Sequence, residues 1–543
     1  MEGVVAIQRT RPHQPTTRHR LPDTAAGRTG VLLLLALAAG IALFRFRLSP
    51  LYPQRNDINS DFYVYQVVGN AWAHGQLPYR DVYDVKGPFF YLLFGGFARL
   101  RAWSVGPPLA MLAVCAFAAL WLAHRIALRI LGPVGAVLSA LSSGALIYLA
   151  VLGVSTSFTC EELAVPGVLL MLWLVLRALD GEPVATRWWV LDGVVFGALF
   201  WAKYQVIAPW AAMLIALLVV GRDGHRALPM RELGRIVLAG LAGCAITTVV
   251  TLAPYAGGMR SLLQAYFVAK LQAPRRNNEF ALEGRYAAEL FTGNPIVVVT
   301  LCLALLTFLL CSLAWTRLQA ETRAAAAVFA VAMPLSMWAA VVGVRHPNNV
   351  LVPLCFVAVA LPMAAATLRR PGQATAVTAV VAVLAFAGVI PSMQQSGPDY
   401  GLGRASLPIR CVVHSSHRHF TAPSTAAAFV DSAKGGPILS VNSLFAARAL
   451  YRTHTVPPHR FEFADLSWVY TTPAAATQLQ YLRDGTFAYV WVSGARIGPA
   501  GLTFRDAPGP GVPTPAEAAE LALNYRPILA CGGQQLLHRE DGR

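Results

Sequence analysis

The stretch NDINSDFYVYQVVGNAWAHGQLPYRDVYDVKGPFFYLL, Asn56 to Leu93, is the most informative part of the chain. It gathers Asp57, Asp61, Asp81, Asp84 and Lys86 within thirty residues, in a protein otherwise poor in charge. From Phe62 to Trp72 apolar residues recur at helical spacing, which predicts an amphipathic helix lying on a membrane surface. Asp61 stands at or just before its N-terminus, where the helix dipole and unpaired N–H groups stabilise a carboxylate. Taken alone, that position reads first as a helix cap. Lys86-Gly87-Pro88 precedes an apolar helix start, so the Lys86 ammonium falls at the membrane interface, level with a lipid phosphate. The plainer reading is a snorkelling lysine.

Outward from this stretch the chain is apolar in blocks. Of 543 residues 56% are hydrophobic and 13% charged, with a mean hydropathy of +0.52. A soluble chain carries about a quarter charged residues. An ordinary soluble enzyme, a disordered protein and a disulfide-stapled secreted module are therefore excluded. Blocks of roughly spanning length, near 20 residues, fall at about 30–46, 107–128, 131–152, 164–180, 189–202, 204–221, 236–254, 295–314, 324–344, 348–367 and 373–391. The reading is a polytopic α-helical membrane protein with about 11 transmembrane helices. The first block is also readable as the core of a signal peptide, and the segment after it lies outside on either reading.

Arginine sets the orientation. The excess of 44 Lys+Arg over 27 Asp+Glu is carried by alternate connections. The tail 1–29 is basic, and so are the turns holding Arg125 and Arg129, Arg177 and Arg187, Arg222 to Arg235, Arg317 and Arg323, and Arg369 and Arg370. The positive-inside rule puts all of these in the cytoplasm. The segments 47–106, 255–294 and 392–543 are then outside. The division is a cytoplasmic tail 1–29, a transmembrane module 30–391 whose outer loop 47–106 carries the acidic motif, and an extracytoplasmic domain 392–543. In that last part Pro437–Val441 and Phe487–Val492 read as strands. Thr514-Pro515-Ala516-Glu517 reads as a helix start, so the domain is small and α/β. Cys411 and Cys531 bracket it and are candidates for one disulfide in an oxidising compartment. Cys411, His414, His417 and His419 fit no known zinc spacing. The positive charge is not organised with aromatics for nucleic acid.

Lysine is scarce: Lys86, Lys203, Lys270 and Lys434 are the four, against forty arginines. Lys203 lies between two apolar blocks, where a charge is expensive and usually functional. Glu161 and Glu162 stand side by side directly before a block, in a short outer loop that a solvated turn explains less well than a site does.

Together these residues resemble the GT-C membrane glycosyltransferases, specifically the relatives of the protein O-mannosyltransferases and the lipid A aminoarabinose transferase, glycosyltransferase family 39. Asp61 with Tyr65 occupies that family's first acidic motif, and Asp84-Val85-Lys86-Gly87-Pro88 its second. Glu161/Glu162, the GALFWAKYQ around Lys203 and Arg345-His346-Pro347 match further motifs. The resemblance covers residues 30–370 and the plan of an outer C-terminal domain. Phe62 follows Asp61 where the family often has Glu, Gly87 replaces a Pro, and Asn348-Asn349 stand where relatives often have His-Tyr.

The resemblance implies a GT-C-like fold and an inverting glycosyltransferase whose donor is a sugar on a polyprenyl phosphate. The acceptor would be a cell-envelope glycan, lipid or protein. Asp61 would be the general base. Lys86, Lys203, Arg345, Arg275 and Arg276 would face the donor phosphate. Asp57, Asp84, Glu161 and Glu162 would support the site or orient the acceptor, and Asp61, Glu161 and Glu162 are the candidates to ligate a divalent metal if one is used. No other cofactor is implied. The alternative is a polyprenyl-linked lipid flippase, disfavoured because the acidic residues lie in outer loops and no internal repeat is visible. The Ala- and Arg-rich, Lys-poor composition suggests a high-GC bacterium, hence the inner or plasma membrane.

Overall fold

The structure, a computed structural model, describes residues 25–48, 61–149, 158–220, 228–268, 295–341, 351–368, most of 372–387, and 409–540 with breaks at 423–424, 442–444, 464–473, 494, 499–500, 505–511 and 532. Apolar helices make up its first part: α1 (Ala25–Leu48), α2 (Asp61–Ala73), α3 (Pro88–Leu100), α4 (Gly106–Ala127), α5 (Pro133–Gly144), α6 (Cys160–Leu179), α7 (Thr186–Lys203), α8 (Ala208–Val220), α9 (Met230–Leu252), α10 (Met259–Leu263), α11 (Pro295–Leu313), α12 (Ala320–Val341), α13 (Leu351–Leu354) and α14 (Val357–Ala366). Glycine-proline steps begin several of them. Gly87-Pro88 opens α3 and Gly132-Pro133 opens α5, each with an extended glycine before a proline in the first turn, where the missing proline N–H costs nothing.

By length and composition, three helical stretches among the described residues are able to cross a membrane: Gly106–Ala127, Cys160–Leu179 and Met230–Val268. Among the other apolar helices α1, α11 and α12 run for 24, 19 and 22 residues. α6 is buried on nearly every face and forms the axis of the bundle. α7 and α9 pack closely because they meet through glycine. A Cβ on Gly193 would come within 2.0 Å of the Gly240 carbonyl oxygen, and one on Gly243 within 2.1 Å of that of Val190.

Residues assigned to one side by their charge meet at one end of the bundle. There Arg129 pairs with Asp180 and, at 3.1 Å, with Glu182, while Arg177 reaches Glu182 at 2.7 Å. Arg235 donates to Thr186 Oγ1 at 2.7 Å and to the Val184 carbonyl at 2.8 Å.

α2 departs from the sequence reading. Phe62, Val64, Val67, Val68, Ala71 and Asn70 are all fully buried, so the helix is enclosed by protein and does not lie on a membrane surface. Its apolar residues surround it almost completely, and a helix apolar all round belongs in a core.

The C-terminal part is a six-stranded sheet of order β2-β1-β7-β8-β4-β3, with β1 Ile409–Val413, β2 Arg418–Ala422, β3 Ile438–Ser440, β4 Tyr489–Ser493, β7 Tyr525–Cys531 and β8 Gln534–Arg539. β3 and β4 are parallel and the other pairs antiparallel. A separate ribbon joins β5 (Ala495–Gly498) to β6 (Gly501–Phe504). The helices are α15 (Thr425–Ser432), α16 (Phe445–Thr453), α17 (Ala474–Asp484) and α18 (Pro515–Asn524). α18 starts where its sequence says: the Thr514 N–H donates to Glu517 Oε2 at 2.8 Å, and the Glu517 N–H donates back to Thr514 Oγ1 at 3.4 Å. Cys411 and Cys531 face one another across β1 and β7 and are joined in a disulfide.

The sheet domain rests on the first loop and α2. Arg460 donates to the Tyr79 carbonyl at 2.9 Å, the Tyr83 N–H donates to the Arg460 carbonyl at 2.9 Å, and Gln76 reaches the Pro457 carbonyl at 3.1 Å. Phe461 packs on Tyr83 with ring centroids 4.8 Å apart.

Two expectations follow. Cys411→Ser should raise the thiol count of the denatured protein from six to seven and cost about 2–5 kcal/mol of stability; a fall from eight to seven would contradict the bond. Glu462 is 1% exposed and neither of its carboxylate oxygens accepts a hydrogen bond, so burial pushes its pKa well above the usual carboxylate range. A folded-state pKa raised in this way makes stability full below the unfolded value, about 4.3. That stability is lost as pH rises through the folded value. Glu462→Gln should therefore raise the melting temperature at about pH 8 more than at about pH 5. Equal shifts at both would show that the carboxyl is not carried protonated.

Candidate active site

Lys86 and Lys203 arrive from segments far apart in sequence, and backbone packing brings them together. A Cβ on Gly87 would lie 2.1 Å from the Ala202 carbonyl oxygen and 2.2 Å from that of Trp201. Only glycine permits this approach. The lysines flank the contact, Lys86 just before Gly87 and Lys203 just after Ala202.

Tyrosines hold the Lys86 segment in place. The Tyr79 hydroxyl donates to the Lys86 carbonyl at 2.5 Å, and the Tyr255 hydroxyl to the Pro88 carbonyl at 3.1 Å. Tyr79 sits at φ +69°, a region uncommon for a side chain of its size, with its N–H bonded to the Val82 carbonyl at 2.7 Å. Burial, with Tyr255, Tyr266 and Asp84 adding to it, pushes the Tyr79 hydroxyl well above its ordinary range, so it remains a donor. The buried Asp84 carboxylate accepts from the Tyr91 hydroxyl and lies 4.0 Å from Lys86 Nζ. The same ammonium stands 5.9 Å from the centre of the Tyr65 ring.

On the other side, α6 begins at Cys160 behind an extended Thr159. Glu162 Oε2 accepts from the N–H groups of Phe158 at 2.6 Å and Thr159 at 3.2 Å, closing the helix start. Glu161, 2% exposed, turns to Lys203, with 2.5 Å between Oε1 and Nζ. α7 breaks at Lys203 into a 3₁₀ turn, Tyr204–Ile207. Tyr266 bridges the break, donating to the Phe200 carbonyl at 2.6 Å and accepting from the Tyr204 N–H at 3.1 Å.

The start of α2 lies beside this cap, since the Phe62 and Phe158 rings are 4.8 Å apart. From above, α16 covers α2: Tyr63 and Tyr451 are 5.2 Å apart, and the Arg448 guanidinium sits 5.0 Å over the Tyr63 ring.

The structure thus unites Asp84, Lys86, Glu161, Glu162 and Lys203, and Asp61 is the first residue of the adjacent α2. Asp57, Arg275, Arg276 and Arg345 lie outside the described residues. Among the described residues no group of three or more His, Cys, Asp or Glu is set to hold a metal ion. Glu161 already faces an ammonium, and Glu162 spends one oxygen on backbone N–H groups. Sequence reasoning did not find Tyr79, Tyr91, Tyr255, Tyr266, Arg448 or Arg460. The density of tyrosine between Tyr79 and Tyr91 was a usable signal for the first two, whereas the arginines had none.

Chemically the cluster offers two ammonium groups to an anion, each beside a carboxylate. An ion pair withdrawn from water needs good geometry to repay its desolvation, and of the two the Glu161–Lys203 contact is much the closer.

Residues 85–249 match the family described as dolichyl-phosphate-mannose-protein mannosyltransferase. No curated protein matches the sequence. The fold is similar to that of ArnT from Cupriavidus metallidurans in the apo state, 13% identical, with a TM-score of 0.58 over 94% of this chain and 98% of that one. It is likewise similar to ArnT of the same organism bound to undecaprenyl phosphate, 14% identical, with a TM-score of 0.56 over 96% and 99%.

The Glu161–Lys203 pair gives a cycle to measure. Glu161→Ala and Lys203→Ala should each destabilise by about 3–5 kcal/mol, because each removes one partner of an ion pair withdrawn from water. The double variant should lose less than the sum by about 1–3 kcal/mol in chemical denaturation. Strict additivity would show that the pair is not coupled.

Proposed function

We propose that the chain is a glycosyltransferase of the GT-C superfamily, a reading supported by the family match over residues 85–249 and by the shared fold, and that it transfers a sugar from a polyprenyl-phosphate donor to an acceptor hydroxyl, with inversion, on the outer face of a bacterial plasma membrane. The observation that carries this reading is the meeting of the Lys86 and Lys203 segments through Gly87, with Glu161 and Asp84 as partners. Every residue of that cluster falls in a segment the basic turns put outside, while the Arg129, Arg177 and Arg235 cluster at the opposite end falls inside. ArnT, whose fold is shared, has been crystallised with undecaprenyl phosphate.

In this reading the acceptor oxygen attacks the anomeric carbon from the face opposite the phosphate. The bond from that carbon to the phosphate oxygen breaks, and its electron pair leaves with the phosphate. The acceptor proton passes to the Asp61 carboxylate at the head of α2. Lys86 and Lys203 counter the charge that grows on the leaving oxygen, which is where fixed cations lower the barrier most. Arg345, Arg275 and Arg276 are further candidates for the phosphate. Glu161 holds Lys203 in place, and Asp84 does the same for Lys86. The sheet domain and the 255–294 segment are the candidates for choosing the acceptor.

The test is reconstitution of the full-length protein in liposomes with a panel of radiolabelled polyprenyl-phosphate sugars and cell-envelope acceptors. Wild type should release label from one donor. Asp61→Asn should lower turnover by roughly 100-fold or more with donor binding kept, and Lys86→Ala should weaken donor binding. Unfolding of Asp61→Asn would support the cap role for Asp61, and no release from any donor by wild type would overturn the transferase reading.

A further inference from the structure

Far in sequence from the candidate site, α11 and α12 enclose an apolar cavity of about 380 Å³ with α14. Phe308, Cys311 and Trp315 line one wall, Ala326 and Ala330 the other, and Met363 the back. Phe308 and Cys311 stand one turn apart on α11, and Trp315 extends their wall from the 3₁₀ turn that follows the helix. The alanines opposite leave a slot beside these larger side chains. Phe308 and Trp315 are both more than two-fifths exposed, so the slot opens on the perimeter of the bundle. In a membrane that perimeter meets lipid.

Its mouth is polar. Arg323 lies one turn before Ala326 on the same face of α12, and side chains on a helix lean toward its N-terminus, so its guanidinium is carried toward the connecting turn. Arg323 Nε is buried and has no hydrogen-bond partner. Trp315 stands at the same end, as aromatic side chains do at a membrane interface. The turn between the helices is one of the basic connections that the positive-inside rule assigns to the cytoplasm.

We propose that this slot binds one acyl chain of an anionic phospholipid of the cytoplasmic leaflet, with the lipid phosphate at Arg323. The charge at the mouth selects an acidic headgroup, since basic pockets between helices on that side of a membrane take such headgroups. The apolar wall takes the chain. The site lies on elements that contribute nothing to the Asp84, Lys86, Glu161 and Lys203 cluster, so it is separate from the proposed donor site.

Native mass spectrometry of the full-length protein in detergent tests this, with phosphatidylglycerol and phosphatidylcholine of identical chains as probes. Wild type should retain phosphatidylglycerol in preference. Arg323→Gln should reduce that preference by about fivefold, and Ala330→Phe, which fills the slot, should reduce retention of both lipids. Equal retention of the two lipids by wild type would overturn the proposal, as would a preference that survives Arg323→Gln. Displacement of phosphatidylglycerol by polyprenyl phosphate would also overturn it, by assigning the slot to the donor's tail. Arg323→Gln alone decides the matter if Ala330→Phe does not fold. The readout involves no turnover, so its failure is distinguishable from failure of the transferase reading.

Discussion

An ammonium between two apolar helices has to find a carboxylate, and the arrangement of the site follows from that requirement. Lys203 ends α7 and is followed within a turn by the apolar α8, where an isolated charge is costly. Glu161 meets it from the first turn of α6, which draws the start of one buried helix against the end of another. The Ala202 carbonyl beside Lys203 then becomes a surface that the first outer loop can reach only through a residue without a side chain. Gly87 is that residue. With Gly87 seated, Lys86 is delivered next to Lys203, Pro88 opens α3, and Tyr79 and Tyr255 fix the turn through its carbonyls. A short-range electrostatic demand thus sets the relative position of three long-range segments.

Much of this was legible from residue types. The apolar blocks and basic turns gave the helical bundle and grouped its connections into two sets. Of the basic turns, those holding Arg129, Arg177 and Arg235 do meet in space. Thr514-Pro515-Ala516-Glu517 announced α18, because capping is local chemistry. Lys86, Lys203 and Glu161 stood out because charge is rare here and their surroundings apolar. Which of Glu161 and Glu162 serves the cap was not legible. That depends on how the chain enters α6, with Phe158 at φ +64° and Thr159 extended. α2 was misread because its apolar pattern was judged against a membrane, although its neighbours are α3 and α16, and α16 lies almost four hundred residues away in sequence. Arg448 and Arg460 were invisible for the same reason. Their partners, Tyr63 and the Tyr79 carbonyl, belong to another part of the fold.

The sheet domain is part of the same construction. It packs over α2 through Tyr451 and Arg448 and over the first loop through Arg460 and Phe461. The head of α2 is therefore enclosed between the α6 cap on one side and α16 on the other. The Cys411–Cys531 bond ties β1 to β7, the second and third strands of that sheet, and constrains a loop of 120 residues, which suits an oxidising compartment.

The central claim is that Lys86 and Lys203 together form the phosphate site. The most direct measurement is a cryo-electron microscopy map of the full-length protein with polyprenyl phosphate bound in a lipid nanodisc. Phosphate density in contact with both lysine ammonium groups, beside the Gly87–Ala202 contact, is the result this account predicts. Phosphate density elsewhere, with the Glu161–Lys203 pair undisturbed and Lys86 untouched, would contradict it.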